Sequence, residues 1–232
     1  MSTYILTFIL GASIASFLNV VAKSHPVNQN WISRRSACPN CQKNLTPREL
    51  IPIISYISQL GRCTSCQAKI TPLYLLTEII GGILFISPLI LLPNPHPYLI
   101  QAWIFFSLLL TVTLTDLYWR LIPNKILIAF GIPLFLIRPS IAGAVIGFLF
   151  FYGTSLLGKM LFKKETIGGG DIKLFLIIGL VLGVYSLFLS ITISSAIALA
   201  YILIIAKNKN KPIPFAPFIA VGSIIAYFLS YQ

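Results

Sequence analysis

Charge is scarce in this chain of 232 residues. Asp, Glu, Lys and Arg together make up 9% of it, against about 25% in an ordinary soluble domain. A fold with so few charged side chains cannot cover itself for water, which excludes a soluble globular enzyme. Negative charge is scarcer still, with five acids, of which only Asp116 and Asp171 are aspartates. The two histidines, His25 and His96, stand alone and form no catalytic or metal-binding group. Cysteine is confined to residues 38–66. No Lys or Arg precedes the first apolar run, at residues 3–22. The basic start of a cleaved secretory signal is therefore missing, and this run reads as a retained helix.

What the chain has is apolar length. It is 57% hydrophobic with a mean hydropathy of +0.90, and several runs approach the ~20 residues that cross a bilayer. The fold class is therefore all-α, a polytopic membrane protein. The net charge of +12 would suggest nucleic acid in a soluble protein. Here it is loop charge, and no nucleic-acid partner is expected. Polar loops at 23–72, 117–125, 159–173 and 207–211 hold all basic residues except Arg138, so the positive-inside rule places all four in the cytoplasm. Two points on one side require an even number of crossings between them. Each interior apolar segment then becomes a hairpin, giving about eight transmembrane helices with both termini outside. Pro93-Asn94-Pro95-His96-Pro97, Arg138-Pro139-Ser140 and the break at 207–211 are expected turns or polar breaks. The domain reading is a first transmembrane helix at 1–22, a cytoplasmic four-cysteine loop domain at 23–72 and a membrane-embedded domain at 73–232. Gly11, Ala12, Ser13, Ala15 and Ser16 give the first helix a face for close packing, with Asn19 a structural hydrogen-bonding residue.

Cys38-Pro39-Asn40-Cys41 and Cys63-Thr64-Ser65-Cys66 are two C-x-x-C pairs in the only segment polar enough to fold in water. Four thiolates in two such pairs suit a tetrahedral structural Zn2+. In a reducing compartment disulfides are disfavoured, and a small loop needs a staple of this kind. Two disulfides or four free thiols are the alternatives.

Asp116 and Asp171 each lie where an apolar run meets a basic loop. An ionised carboxylate at mid-bilayer costs about 2.5–3.5 kcal/mol, but at an edge water reaches it. The loop charges put both on one face of the membrane. Two carboxylates held together share a proton, the pattern of aspartic-protease catalysis. Gly168, Gly169 and Gly170 run into Asp171 and lack a Cβ that would keep an extended substrate backbone away. Plainer roles exist: Asp171 as a helix cap, Asp116 paired with Arg120 at i+4, the glycines as a flexible loop. A zinc-stabilised transporter using both aspartates as a proton relay is the competing function, with a non-catalytic membrane scaffold behind it. Transporters usually carry such acids near the midplane of repeated halves, and no clear repeat is visible.

Taken together the motifs resemble the type IV prepilin peptidases, a family of GxGD membrane aspartic proteases. They are Ala15-Ser16-Phe17-Leu18-Asn19, the two cysteine pairs, Glu49-Leu50-Ile51-Pro52, Asp116 with Ile122-Pro123-Asn124, Gly168-Gly169-Gly170-Asp171-x-Lys173, and Pro214-Phe215-Ala216-Pro217-Phe218. The resemblance covers nearly the whole chain, in the right order. It implies Asp116 and Asp171 as the catalytic pair. It also implies removal of a short basic leader from prepilin or pseudopilin substrates, after a glycine and before a phenylalanine-like residue, at the cytoplasmic face of the bacterial inner membrane. Such peptidases serve type IV pili, type II secretion and DNA uptake in competence. Many also N-methylate the new terminus with S-adenosylmethionine, to which Gly61, Arg62 and Glu78 would be tied here. Leu73, Leu75 and Ala216 depart from the family's usual residues, which bears on methyl transfer more than on cleavage.

Overall fold

The long apolar runs lie in helices in the computed structural model, which describes residues 1–24, 36–92, 98–163, 167–204 and 213–230. The expected breaks at 93–97 and 207–211 fall outside the described residues, as do His25 and His96. The elements are α1 (Ser2–Ser24), a 3-10 turn (Pro47–Leu50), α2 (Ile54–Ser58), α3 (Leu73–Leu91), α4 (Leu99–Trp119), α5 (Asn124–Ile137), α6 (Ile141–Phe162), α7 (Gly169–Ile204) and α8 (Ala216–Ser230). Among the described residues no strand forms beyond two isolated bridges, Ala37 with Asn44 and Arg62 with Lys69.

Among the described residues five helices, not the expected eight, are long and apolar enough to cross a membrane: α1, α3, α4, α6 and α7. The spans expected at 126–137 and within 174–206 are short ones, and the last helix is short as well. The break at Arg138 leaves α5 with 14 residues, and α8 has 15. At 1.5 Å per residue these reach about 21–23 Å, short of the ~30 Å hydrocarbon core. Residues 174–206 lie mostly within α7, a 36-residue element whose backbone leaves helical geometry at Gly183 (φ 75, ψ 179). The chain doubles back there. A Cβ on Gly147 of α6 would meet both the Phe175 carbonyl and the Leu187 side chain, residues a straight helix would hold about 18 Å apart. Glycine alone adopts that φ/ψ at little cost.

The chain divides into two compact units, Met1–Ile90 and Leu91–Gln232. In the first, α1 packs on α3 through the expected small-residue face. A Cβ on Gly11 would meet Gly81, and one on Gly81 would meet Ala15. Asn19 is fully buried and donates to Thr77 Oγ1 at 2.9 Å.

In the second unit the most enclosed helices are α4 and α7, the two that carry the aspartates. Phe105 and Phe106 of α4 pack against the buried Tyr227 of α8, whose hydroxyl donates to the Tyr98 carbonyl. Helices α6 and α7 approach so closely that a Cβ on Gly143 would meet the Gly179 carbonyl, and the reverse. Gly179→Val should therefore destabilise the bundle by about 1–3 kcal/mol. The readout is a lower thermal midpoint in detergent. Gly153→Ala, at a position facing open space, should leave it unchanged.

Candidate active site

Four helix termini converge at one end of the second unit. The C-terminus of α4 brings Asp116 and the N-terminus of α7 brings Asp171. The N-termini of α5 and α8 complete the group. Asp116 Oδ2 accepts the backbone N–H of Ala216 at 2.9 Å. Ala216 is the first residue of α8, so this N–H has no partner within its own helix, and the carboxylate sits where the helix dipole favours negative charge. Helix α4 ends at Arg120, in left-handed conformation, whose N–H bonds back to the Asp116 carbonyl. The Arg120 side chain acts on Asp116 only as a charge at longer range; among the described residues the one ion pair within 4 Å is Lys43–Glu49.

Asp171 is the third residue of α7, past the capping position. Its N–H donates to the Gly168 carbonyl at 3.0 Å. A Cβ on Gly168 would sit 3.2 Å from Asp171 Oδ2, and one on Gly170 2.8 Å from the Ile122 side chain, whereas Gly169 faces open space. The three glycines thus do different things. Gly168 leaves room for the carboxylate, Gly170 lets α7 seat against the α4–α5 loop, and Gly169 is open to an incoming chain. Lys173 donates to Asn124 Oδ1 at 2.9 Å and ties α7 to the start of α5. The two carboxylates lie within Coulombic range of each other, and both side chains are half-buried.

The four cysteines form the second cluster, in the first unit. Their Sγ atoms all lie within 4.8 Å of one another, with Cys38–Cys66 at 3.8 Å and Cys41–Cys63 at 3.9 Å. A tetrahedron with Zn–S bonds of ≈ 2.3 Å has edges of about 3.8 Å, so the cage fits a metal of that size. Its halves are built alike. Gln42 N–H bonds the Cys38 carbonyl, and Gln67 N–H the Cys63 carbonyl. Both glutamines are left-handed, at φ 60 and φ 56. Backbone N–H groups of Cys41 and Asn40 draw the Cys38 thiol down, and the Ala68 N–H and the Asn40 amide bring Cys66 to about 6, while burial and the neighbouring thiols push Cys41 up to about 11. The thiolate is the metal-binding form.

Glu49 joins the two halves, a role its sequence position did not reveal. Its carboxylate accepts from the Thr46 N–H and hydroxyl, from Thr64 of the second knuckle and from Lys43 of the first. These donors, the Thr46 N–H foremost, hold its pKa at about 2. The clasp is therefore charged at every physiological pH.

The three residues tied to methyl transfer do not form one group. Gly61 (φ 66) and Arg62 line a groove of about 420 Å³ with Tyr56, Lys69 and Ile70. Glu78 is buried in α3, and its Oε2 accepts the N–H of Ile53 at 2.7 Å. Ile53 has φ 65, ψ −54, a strained geometry for a β-branched residue. Its hydrogen bond to Glu78 helps hold it.

Comparison with known proteins bears on both clusters. Residues 9–91 match the family model described as "Bacterial Peptidase A24 N-terminal domain", and residues 103–203 the "Type IV leader peptidase family". A "Prepilin leader peptidase/N-methyltransferase" of Bacillus subtilis is 39% identical over 95% of this chain and 92% of the relative. A "Type 4 prepilin-like proteins leader peptide-processing enzyme" of Escherichia coli O78:H11 is 30% identical over 97% and 93%. A Myxococcus xanthus relative is 31% identical over 74% of this chain and 54% of its own length. No solved structure matches the chain significantly. With both family models met in order and a relative this similar along almost its full length, the chain belongs to the type IV leader peptidase family and is a multi-pass membrane peptidase.

Proposed function

We propose that the chain removes the basic leader from prepilin-like proteins at the cytoplasmic face of the bacterial inner membrane, with Asp116 and Asp171 as the catalytic pair. The observation that carries this is the convergence of the only two aspartates at one end of the second unit, both half-buried, each on an enclosed helix. One carboxylate, ionised, takes a proton from water as the water oxygen attacks the scissile carbonyl carbon. The other, protonated, hydrogen-bonds the carbonyl oxygen. As the C–N bond breaks, a proton passes to the leaving amine, and the pair is left sharing one proton. Gly168, Gly169 and Gly170 give the substrate backbone close approach, with Gly169 the open position.

The cysteine cage holds Zn2+ in this reading. Four protein ligands close a zinc site, so the metal orders residues 36–72 and performs no chemistry. Gly61 and Arg62 line a groove that would hold S-adenosylmethionine. Bound there, it would supply a methyl group to the new N-terminal amine. The deciding experiment is mass spectrometry of a prepilin-like substrate processed by the purified protein in bilayers, with and without S-adenosylmethionine. The expected product lacks the leader and, with the cofactor present, carries one added methyl group. An intact substrate sinks the peptidase reading; cleavage without the methyl sinks only the second activity.

A further inference from the structure

Residues 50–60 carry five large apolar side chains that face outward. Leu50, Ile51, Ile54, Ile57 and Leu60 are 47, 44, 63, 60 and 86% exposed. They lie on the end of the 3-10 turn, on α2 and just beyond it, outside every helix long enough to cross a membrane.

Two observations say what covers them. The first is depth. Glu78 is the sixth residue of α3, so its Cα lies about 7.5 Å along the helix from its start, and its carboxylate holds the Ile53 N–H at 2.7 Å. Helix α3 has 19 residues, about 28 Å, just short of the ~30 Å hydrocarbon core. It has no length to spare for lifting its first turns into water. Ile53 therefore stands at the boundary of the bilayer, and Ile51, Ile54 and Ile57 flank it there. The second is charge. Arg48 and Arg62 bracket the segment and are exposed, with Lys69 beyond them. Glu49, the only acid in residues 36–72, has both oxygens engaged. An apolar tip edged by unopposed cations matches the acyl–headgroup boundary of an anionic leaflet.

We propose that residues 50–60 form a lipid-docking wedge, seated in the same bilayer that α1 and α3 cross, which holds the cysteine cage against the membrane surface. This rests on the membrane placement of α3 and not on the catalytic assignment.

Tryptophan placed singly at Ile57, Leu60 or Ser65 tests it, in the full chain reconstituted into anionic nanodiscs with brominated acyl chains. Ser65 sits between the second pair of cysteines and is exposed. All three sites are on the surface, so the variants should fold, and wild type supplies the background from the native tryptophans. The added fluorescence at 57 and 60 should be quenched about twofold or more relative to unbrominated lipid, and that at 65 little. Equal, weak quenching at all three overturns the wedge. So does protection of 57 and 60 that arises only on adding a prepilin-like substrate or on dimerisation, because the patch would then be a protein-binding surface.

Discussion

Asp116→Asn and Asp171→Asn should each lower leader removal by about a thousandfold or more, with expression and membrane insertion unchanged. General acid–base catalysis contributes typically 10²–10⁴-fold, and here one group of a pair that works as a unit is lost. The amide is close in shape to the carboxylate but cannot pass a proton. In Asp116→Asn the amide oxygen can still accept the Ala216 N–H that the carboxylate accepts at 2.9 Å, so the end of α8 stays anchored. At Asp171 the position beside Gly168 is likewise kept. The assay is co-expression with a prepilin-like substrate, read as the ratio of processed to unprocessed chain. Processing that survives both substitutions would falsify the catalytic pair. Loss of the protein from the membrane in both would show that the aspartates hold the fold and do no chemistry.

Cys38→Ser should empty the metal cage and loosen residues 36–72, with methyl transfer suffering more than cleavage. Cys38 is buried, with its Sγ 3.8 Å from that of Cys66. A serine hydroxyl is a poor replacement for a thiolate at that distance. Structural zinc sites in small domains supply on the order of 10–16 kcal/mol of apparent binding free energy, so losing one ligand of four should unfold the loop. Metal analysis of the purified protein should fall from about one zinc per chain to near none, and proteolysis between the knuckles should speed up. Glu49→Gln should give a graded version, with zinc retained at equilibrium but exchanged faster, because the clasp across Lys43 and Thr64 loses its charge. Unchanged zinc in Cys38→Ser would exclude the four-thiolate site.

The clusters were legible because their residue types are rare and their spacing carries chemistry. Two aspartates at the edges of apolar runs and two C-x-x-C pairs are conspicuous in a chain that is 57% hydrophobic. Asn19 and the small residues of α1 were read as packing and hydrogen-bonding positions, and they meet Thr77 and Gly81. What stayed hidden is backbone. The donor to Asp116 is the N–H of Ala216, which any residue but proline supplies. The partner of Glu78 is likewise a main-chain N–H, at Ile53. Fewer helices than expected reach spanning length among the described residues, for a related reason. Loop charge fixes which side a loop lies on, but not how many residues each arm receives, and α5 and α8 came out short.

The two cysteine knuckles stand at a constant offset of 25 residues: Cys38 and Cys63, Cys41 and Cys66, Gln42 and Gln67. A cage clamped on duplicate hairpins is indifferent to how much chain runs between them. Closing a longer loop costs only about 0.6 kcal/mol for each doubling of its length. Insertions between the duplicates are therefore cheap, and insertions within either of them are not.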